Sequence, residues 1–193
     1  MALRTSRIVG VLAVVVVPLA GAGVWALLRR GISARAEPGG VETVLARGAR
    51  HLAVPAAARA LRNPVPSTPQ MLAEGRAHFA DHCALCHGND GRGTTEIGRN
   101  LYPKAPDMTR ADTQGLSDGE LFFIIKNGVR LTGMPAWGAE TPADDHASWQ
   151  LVLFIRHLPA VTPEELRQMA ALNPVSPEEM RERAEEEKFL AGD

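Results

Sequence analysis

The chain has 193 residues, two cysteines and a formal net charge of −1 at pH 7, a length that allows one compact domain with appendages. The charge is uneven: residues 1–66 hold nine arginines against two acids, 67–160 eight bases against eleven acids, and 161–193 four bases against nine acids. No basic patch falls in the middle segment, which excludes nucleic acid as the expected partner.

Residues 1–7 carry Arg4 and Arg7, and Ile8 to Leu28 is then a 21-residue run without a charge, broken only by Pro18, Gly21 and Gly23. At 1.5 Å per residue such a helix just spans a hydrocarbon core of about 30 Å. The expectation is a transmembrane anchor over 8–28 with residues 1–7 as a cytoplasmic N-terminus. Arg29, Arg30 and Arg35 follow, so the arginine count is close to a tie and does not fix orientation. A cleaved signal peptide is the rival, since Ala34-Arg35-Ala36 fits the small-x-small rule. The apolar run is longer than the usual 7–15 residues, and two arginines stand before the site; a retained anchor is favoured.

Residues 29–66 are read as a connector. Val41 to Arg62 favours helix, with a break at Pro55 and an extended end at Asn63-Pro64-Val65-Pro66. Its Arg47, Arg50, Arg59 and Arg62 fit anionic headgroups; a solvated stalk fits equally well.

Residues 67–160 read as the domain. Thr68-Pro69 is a cap followed by proline at the first helical position, and Leu72, Gly75, Phe79 and Cys83 recur at helical spacing. Glycine inside a helix costs roughly 1 kcal/mol against alanine, so a second helix is expected to approach closely there. The partner is the segment 144–158, opened by Thr141-Pro142 and apolar on nearly every side. Between them Ser117-x-x-Glu120 is a capping box for a helix that stops at Asn127-Gly128. No alternating strand appears, and the class is all-α. Residues 161–193 form an acidic helical tail, with Thr162-Pro163-Glu164-Glu165 and Ser176-Pro177-Glu178-Glu179 as helix starts. Such runs are usually solvated faces; a docking arm for a basic redox partner, or a strap over the domain, is the functional alternative.

The most informative residues are Cys83-Ala84-Leu85-Cys86-His87, a C-x-x-C-H motif that contains both cysteines. This spacing lets two thiols bond the vinyl groups of one haem while the next residue places an imidazole on the iron. A disulfide between Cys83 and Cys86 would close a tiny loop with little entropic gain. A redox dithiol should follow a buried strand, and a zinc site needs a fourth ligand, for which only His78 or His82 stands near. One covalent haem c is the expectation. For the sixth position on iron, Met108 and Met134 are the candidates among six methionines. Met134 lies 47 residues after His87 in Leu131-Thr132-Gly133-Met134-Pro135-Ala136-Trp137, where Gly133 permits close approach and Pro135 stiffens the loop; Met108 lies only 21 after.

The order C-x-x-C-H-G-N-D-G-x-G, then Leu101-Tyr102-Pro103-Lys104-Ala105-Pro106-Asp107, then Gly-Met-Pro-Ala-Trp, then an aromatic last helix resembles the class I c-type cytochromes. More narrowly it is similar to the membrane-anchored monohaem cytochromes of bacteria, over about 67–160. The resemblance implies His87 as proximal and Met134 as distal ligand, with Gly75 and Phe79 crossing Leu151 and Phe154. It also implies a proline carbonyl, from Pro103 or Pro106, that orients the His87 imidazole. Tyr102, Trp137 and Arg99 fit places near the propionates, or equally packing and surface; His78, His82, His146 and His157 read as surface histidines. Haem attachment in that family places the domain on the outer, periplasmic face of the cytoplasmic membrane, with redox proteins of a respiratory or similar chain as partners. The reading placed first is one-electron transfer by a tethered carrier, not an enzyme. A cytochrome subunit of a larger membrane oxidoreductase or oxidase is the alternative, and a haem sensor or peroxidase with a displaceable Met134 is a third.

Overall fold

The computed structural model describes residues 2–31, 33–138, 142–175 and 177–191, with side chains given at all but 2–13, 27, 30, 142–144, 177–180, 183, 184 and 191. The chain divides into two compact units, Met1–Ala36 and Glu37–Asp193.

The first unit is helix α1, Ala2–Arg30, which runs through Pro18 without ending. Near its C-terminal end the Arg29 guanidinium lies 4.4 Å from the centroid of the Trp25 ring. Among the described residues no helix is long and apolar enough to cross a membrane.

The second unit is helical throughout, with no strand among the described residues. Helices α2 (Gly40–Ala53) and α3 (Ala56–Arg59) precede α4 (Pro69–His78), which continues through a π-helical turn (Phe79–Cys83) into α5 (Ala84–His87). Short helices α6 (Glu96–Asn100) and α7 (Ala111–Gln114) lead to α8 (Asp118–Asn127), α9 (Pro142–His157), α10 (Pro163–Ala170) and α11 (Pro177–Ala191).

The caps that the sequence marks are formed. Thr68 Oγ1 accepts from the Met71 N–H, and Ser117 and Glu120 exchange both capping-box bonds. Thr162 and Glu165 form a second box at α10. The proposed caps Thr141 and Ser176 lie outside the described residues. Each such bond satisfies an N–H that the first helical turn cannot.

The central contact is α4 on α9. Gly75 is buried, and a Cβ placed there would run into the Gln150 backbone carbonyl and sit 3.4 Å from Phe154 Cβ. One turn on, the rings of Phe79 and Phe154 meet with centroids 5.1 Å apart. Phe79, Phe154, Leu151, Leu158, Val152 and Met169 are the largest fully buried side chains. On the other side of α9, Phe122 of α8 stacks flat on Trp149 at 4.1 Å. Arg156 fastens α9 to the turn between α7 and α8, with Nε donating to Asp118 (2.9 Å) and Nη1 to the Gln114 carbonyl (2.7 Å).

Contacts cross the positions 66/67 and 160/161. The connector is docked rather than a free stalk: Val54 and Val65 are buried, Asn63 donates to the Trp149 carbonyl, and Ser117 donates to the Arg59 carbonyl. Two of its arginines are engaged within the unit, Arg47 by Asp112 at 2.8 Å and Arg59 by His51 at 3.1 Å. Beyond residue 160, Met169 of α10 is fully buried in the core. Glu165 ties the same helix down through Arg76 of α4 (3.2 Å) and His157 of α9 (3.0 Å).

Two outcomes are expected. Gly75→Ala should lower unfolding stability by about 1–3 kcal/mol, the usual cost of overpacking against a fixed neighbour, read from the denaturation midpoint. Glu165 gives a pH dependence. Its partial burial favours the neutral acid, but the Thr162 backbone N–H, the His157 imidazole and the Thr162 hydroxyl outweigh that and hold its pKa down to about 2. A depressed acid stabilises the fold above its unfolded pKa, near 4.3, and loses that contribution as pH falls towards 2. Acid titration of stability should therefore steepen between about pH 4.5 and 2, and Glu165→Gln should flatten that window.

Candidate haem site

The attachment motif sits where the helix changes type. The Ala84 N–H reaches back five residues to the Phe79 carbonyl, which opens a π turn under Cys83. Such turns insert a residue into a helix and re-aim the next turn, and they recur at functional sites. Cys83 and Cys86 are partly buried and are not joined to each other. Burial, with the neighbouring Cys86 charge, pushes the Cys83 thiol up to about 12, and burial raises Cys86 as well.

Those raised values bear on the alternatives. A redox dithiol depends on a surrounding that lowers thiol pKa, and here burial raises it. Among the described residues no three His, Cys, Asp or Glu side chains converge to hold a metal ion. Partly buried, unpaired thiols three residues apart fit covalent attachment to an apolar macrocycle.

His87 is buried, and burial lowers its pKa to about 4, partly opposed by the backbone carbonyl of Pro106. The ring faces that carbonyl without completing a hydrogen bond: Nδ1 is the one buried side-chain nitrogen or oxygen without a partner among the described residues. A neutral imidazole whose Nδ1–H points at a carbonyl leaves Nε2 as its free lone pair, which is what an iron ligand needs. The loop after the motif brings Pro106 there through a series of bonds. The Gly93 N–H donates to the His87 carbonyl (2.7 Å), Thr95 Oγ1 to the Cys86 carbonyl (3.0 Å), and the Met108 N–H to the Gly91 carbonyl (2.8 Å). Of the two sequence candidates it is the carbonyl of Pro106, not of Pro103, that acts on His87.

The two candidate methionines are placed differently. Met108 is buried within the hydrophobic core, and its carbonyl accepts from Gln114. Met134 is half-buried on the loop after α8. That loop starts at Gly128, whose φ of +65° and close approach to the Pro135 and Met134 backbone exclude a side chain. Met134 closes it, with its N–H donating to Thr132 Oγ1 (3.1 Å) and its carbonyl accepting from Val129 (3.1 Å). The Trp137 and Gly138 N–H groups return to the Ile125 and Lys126 carbonyls of α8.

The loop abuts the attachment segment from two sides. Gly133 lies against Leu101, just past α6. Trp137 meets the His82 ring edge-on with centroids 5.3 Å apart, and His82 directly precedes Cys83. Sequence reasoning misses this contact, because His82 reads as an ordinary surface histidine; its position one residue before Cys83 is the available signal. Tyr102 turns elsewhere, and its hydroxyl donates to Glu42 of α2. That bond raises its pKa. Among the remaining histidines, His51 pairs with Glu120 and His157 with Glu165, so both are structural.

The all-helical fold and the buried C-x-x-C-H histidine resemble those of the class I c-type cytochromes, a family that carries haem c. Residues 70–155 match the family described as cytochrome c oxidase, cbb3-type, subunit III. Curated relatives agree. The chain is 37% identical over 95 residues to the cbb3-type cytochrome c oxidase subunit FixP of Rhizobium meliloti, covering 48% of this chain and 29% of that one. It is 39% identical over 75 residues to subunit CcoP of Cereibacter sphaeroides, covering 37% and 23%. Subunit FixPc of Rhizobium leguminosarum is 35% identical over 95 residues, covering 48% and 30%. The matched stretch spans less than a third of the length of each of these relatives.

Proposed function

We propose that the chain is a one-electron cytochrome subunit of a membrane oxidase complex, with one haem c on Cys83 and Cys86 and with His87 and Met134 as axial ligands. The observation that carries the cofactor assignment is the buried His87 imidazole, its Nδ1 left without a hydrogen-bond partner and the Pro106 carbonyl beside the ring. Bound there, haem c supplies Fe(III)/Fe(II) cycling. Pro106 fixes the tautomer and orientation of His87 and raises its basicity. The Thr132, Val129 and Ile125 bonds hold the Met134 loop, and the core around Phe79 and Phe154 excludes water from one side. A closed His/Met pair leaves no position for substrate, which separates this reading from a sensor or peroxidase.

The comparisons favour the subunit over the free carrier that the sequence placed first, since the named relatives are oxidase subunits. Membrane attachment through Ile8–Leu28, with the haem domain on the periplasmic face, is part of the proposal. Its support is the uncharged run and the outward-facing Val14, Val16, Val17, Leu19 and Leu28, each more than half exposed within α1. The partners implied are electron donors of the respiratory chain and the other oxidase subunits.

Met134→Ala is the direct test of ligation. The ferric sulfur-to-iron charge-transfer band should vanish, the reduced protein should begin to bind carbon monoxide, and the potential should fall, because methionine ligation raises it. An unchanged band would overturn Met134. Native mass after mild detergent extraction tests the assembly: a multi-subunit species is expected, and a single small species would restore the free carrier.

A further inference from the structure

Helix α2 presents its apolar side in the wrong direction for a helix covering a core. Val41, Val44, Leu45 and Leu52 are 76%, 72%, 67% and 81% exposed. At 100° per residue they share one side of the helix. Thr43 and Arg50, the half-buried residues of α2, lie opposite and lead to the buried Val54. The polar side is fastened to the domain, with Arg47 on Asp112 and His51 on Glu120. A surface helix ordinarily turns its apolar stripe inward; one that turns it outward needs a non-aqueous neighbour.

The neighbour is indicated by chain position. Residues 31–39 are all that separate α1 from α2, and nine residues reach at most about 32 Å. The last turns of α1 carry Trp25 beneath Arg29, residue types that suit a membrane–water boundary. We propose that α2 lies in the headgroup–acyl boundary of the bilayer that α1 crosses, with Val41, Val44, Leu45 and Leu52 inserted. The proposal rests on the anchor reading above. Since Arg47 and Arg59 are engaged within the domain, apolar insertion rather than a polybasic patch carries the contact. It should therefore depend little on anionic lipid or salt.

The test uses the full-length, haem-loaded chain, one copy per phosphatidylcholine nanodisc, spin-labelled at Leu45→Cys or Leu52→Cys. Ala171→Cys, at the exposed end of α10, is the aqueous reference. Unchanged haem spectra confirm that each variant is folded. Labels at 45 and 52 should become more accessible to oxygen than to a water-soluble nickel chelate, the label at 171 the reverse. The pattern should persist with phosphatidylglycerol in the disc and in high salt. Labels at 45 and 52 that behave like 171 would overturn the proposal. So would protection that requires anionic lipid, a second copy or another subunit. An alkaline carbonate wash of vesicles holding the unlabelled chain tests the anchor separately. Extraction by the wash removes the anchor reading, whereas retention with water-exposed positions 45 and 52 removes only the placement of α2.

Discussion

The crossing of α4 on α9 is the constraint on which the site depends. Gly75 lets the α4 backbone settle on the Gln150 carbonyl, and the Phe79–Phe154 pair then fills the space one turn on. Packing at this density leaves no room for a methyl group. The orientation of α4 is therefore set before the motif begins. The π turn at Phe79–Cys83 starts on the same buried phenylalanine, so the platform that aligns two helices also aims the cysteines and His87.

From that platform the site is closed by loops tied to it through backbone bonds and the Thr95 hydroxyl. The Gly93, Thr95 and Met108 bonds wrap residues 88–108 around the motif and deliver the Pro106 carbonyl to His87. The Met134 loop is bonded to the end of α8 and rests on Leu101 and His82. Backbone hydrogen bonds suit this task because they hold position with little dependence on side-chain rotamers. A redox centre gains from such rigidity, since a ligand shell that does not move between oxidation states keeps the reorganisation cost of each transfer small.

The parts of this arrangement visible in the sequence are those written in local chemistry. Thr68-Pro69, Ser117 with Glu120, and Asn127-Gly128 each carry their own start or stop signal, and a glycine at a helical repeat announces a close crossing. The motif itself is equally local. The hidden parts depend on residues far apart in the chain. A stripe at positions 72, 75, 79 and 83 reads as plain α-helix, because a π turn leaves the apolar pattern almost unchanged. Pro103 and Pro106 are equivalent as letters, and only the bonds of the intervening loop decide which carbonyl reaches His87. Met169 reads as part of a charged tail, yet it is fully buried in the core that the packed helices form.

The charge asymmetry acquires a different meaning in the folded chain. Arginines of the connector read as a cationic surface, but Arg47 and Arg59 neutralise or cap groups within the domain. Glu165 and Glu120, read as helix-start residues, are also half of pairs with His157, Arg76 and His51. Partly buried pairs of this kind cost more to break than to leave out, so their value lies in fixing where the connector and α10 attach.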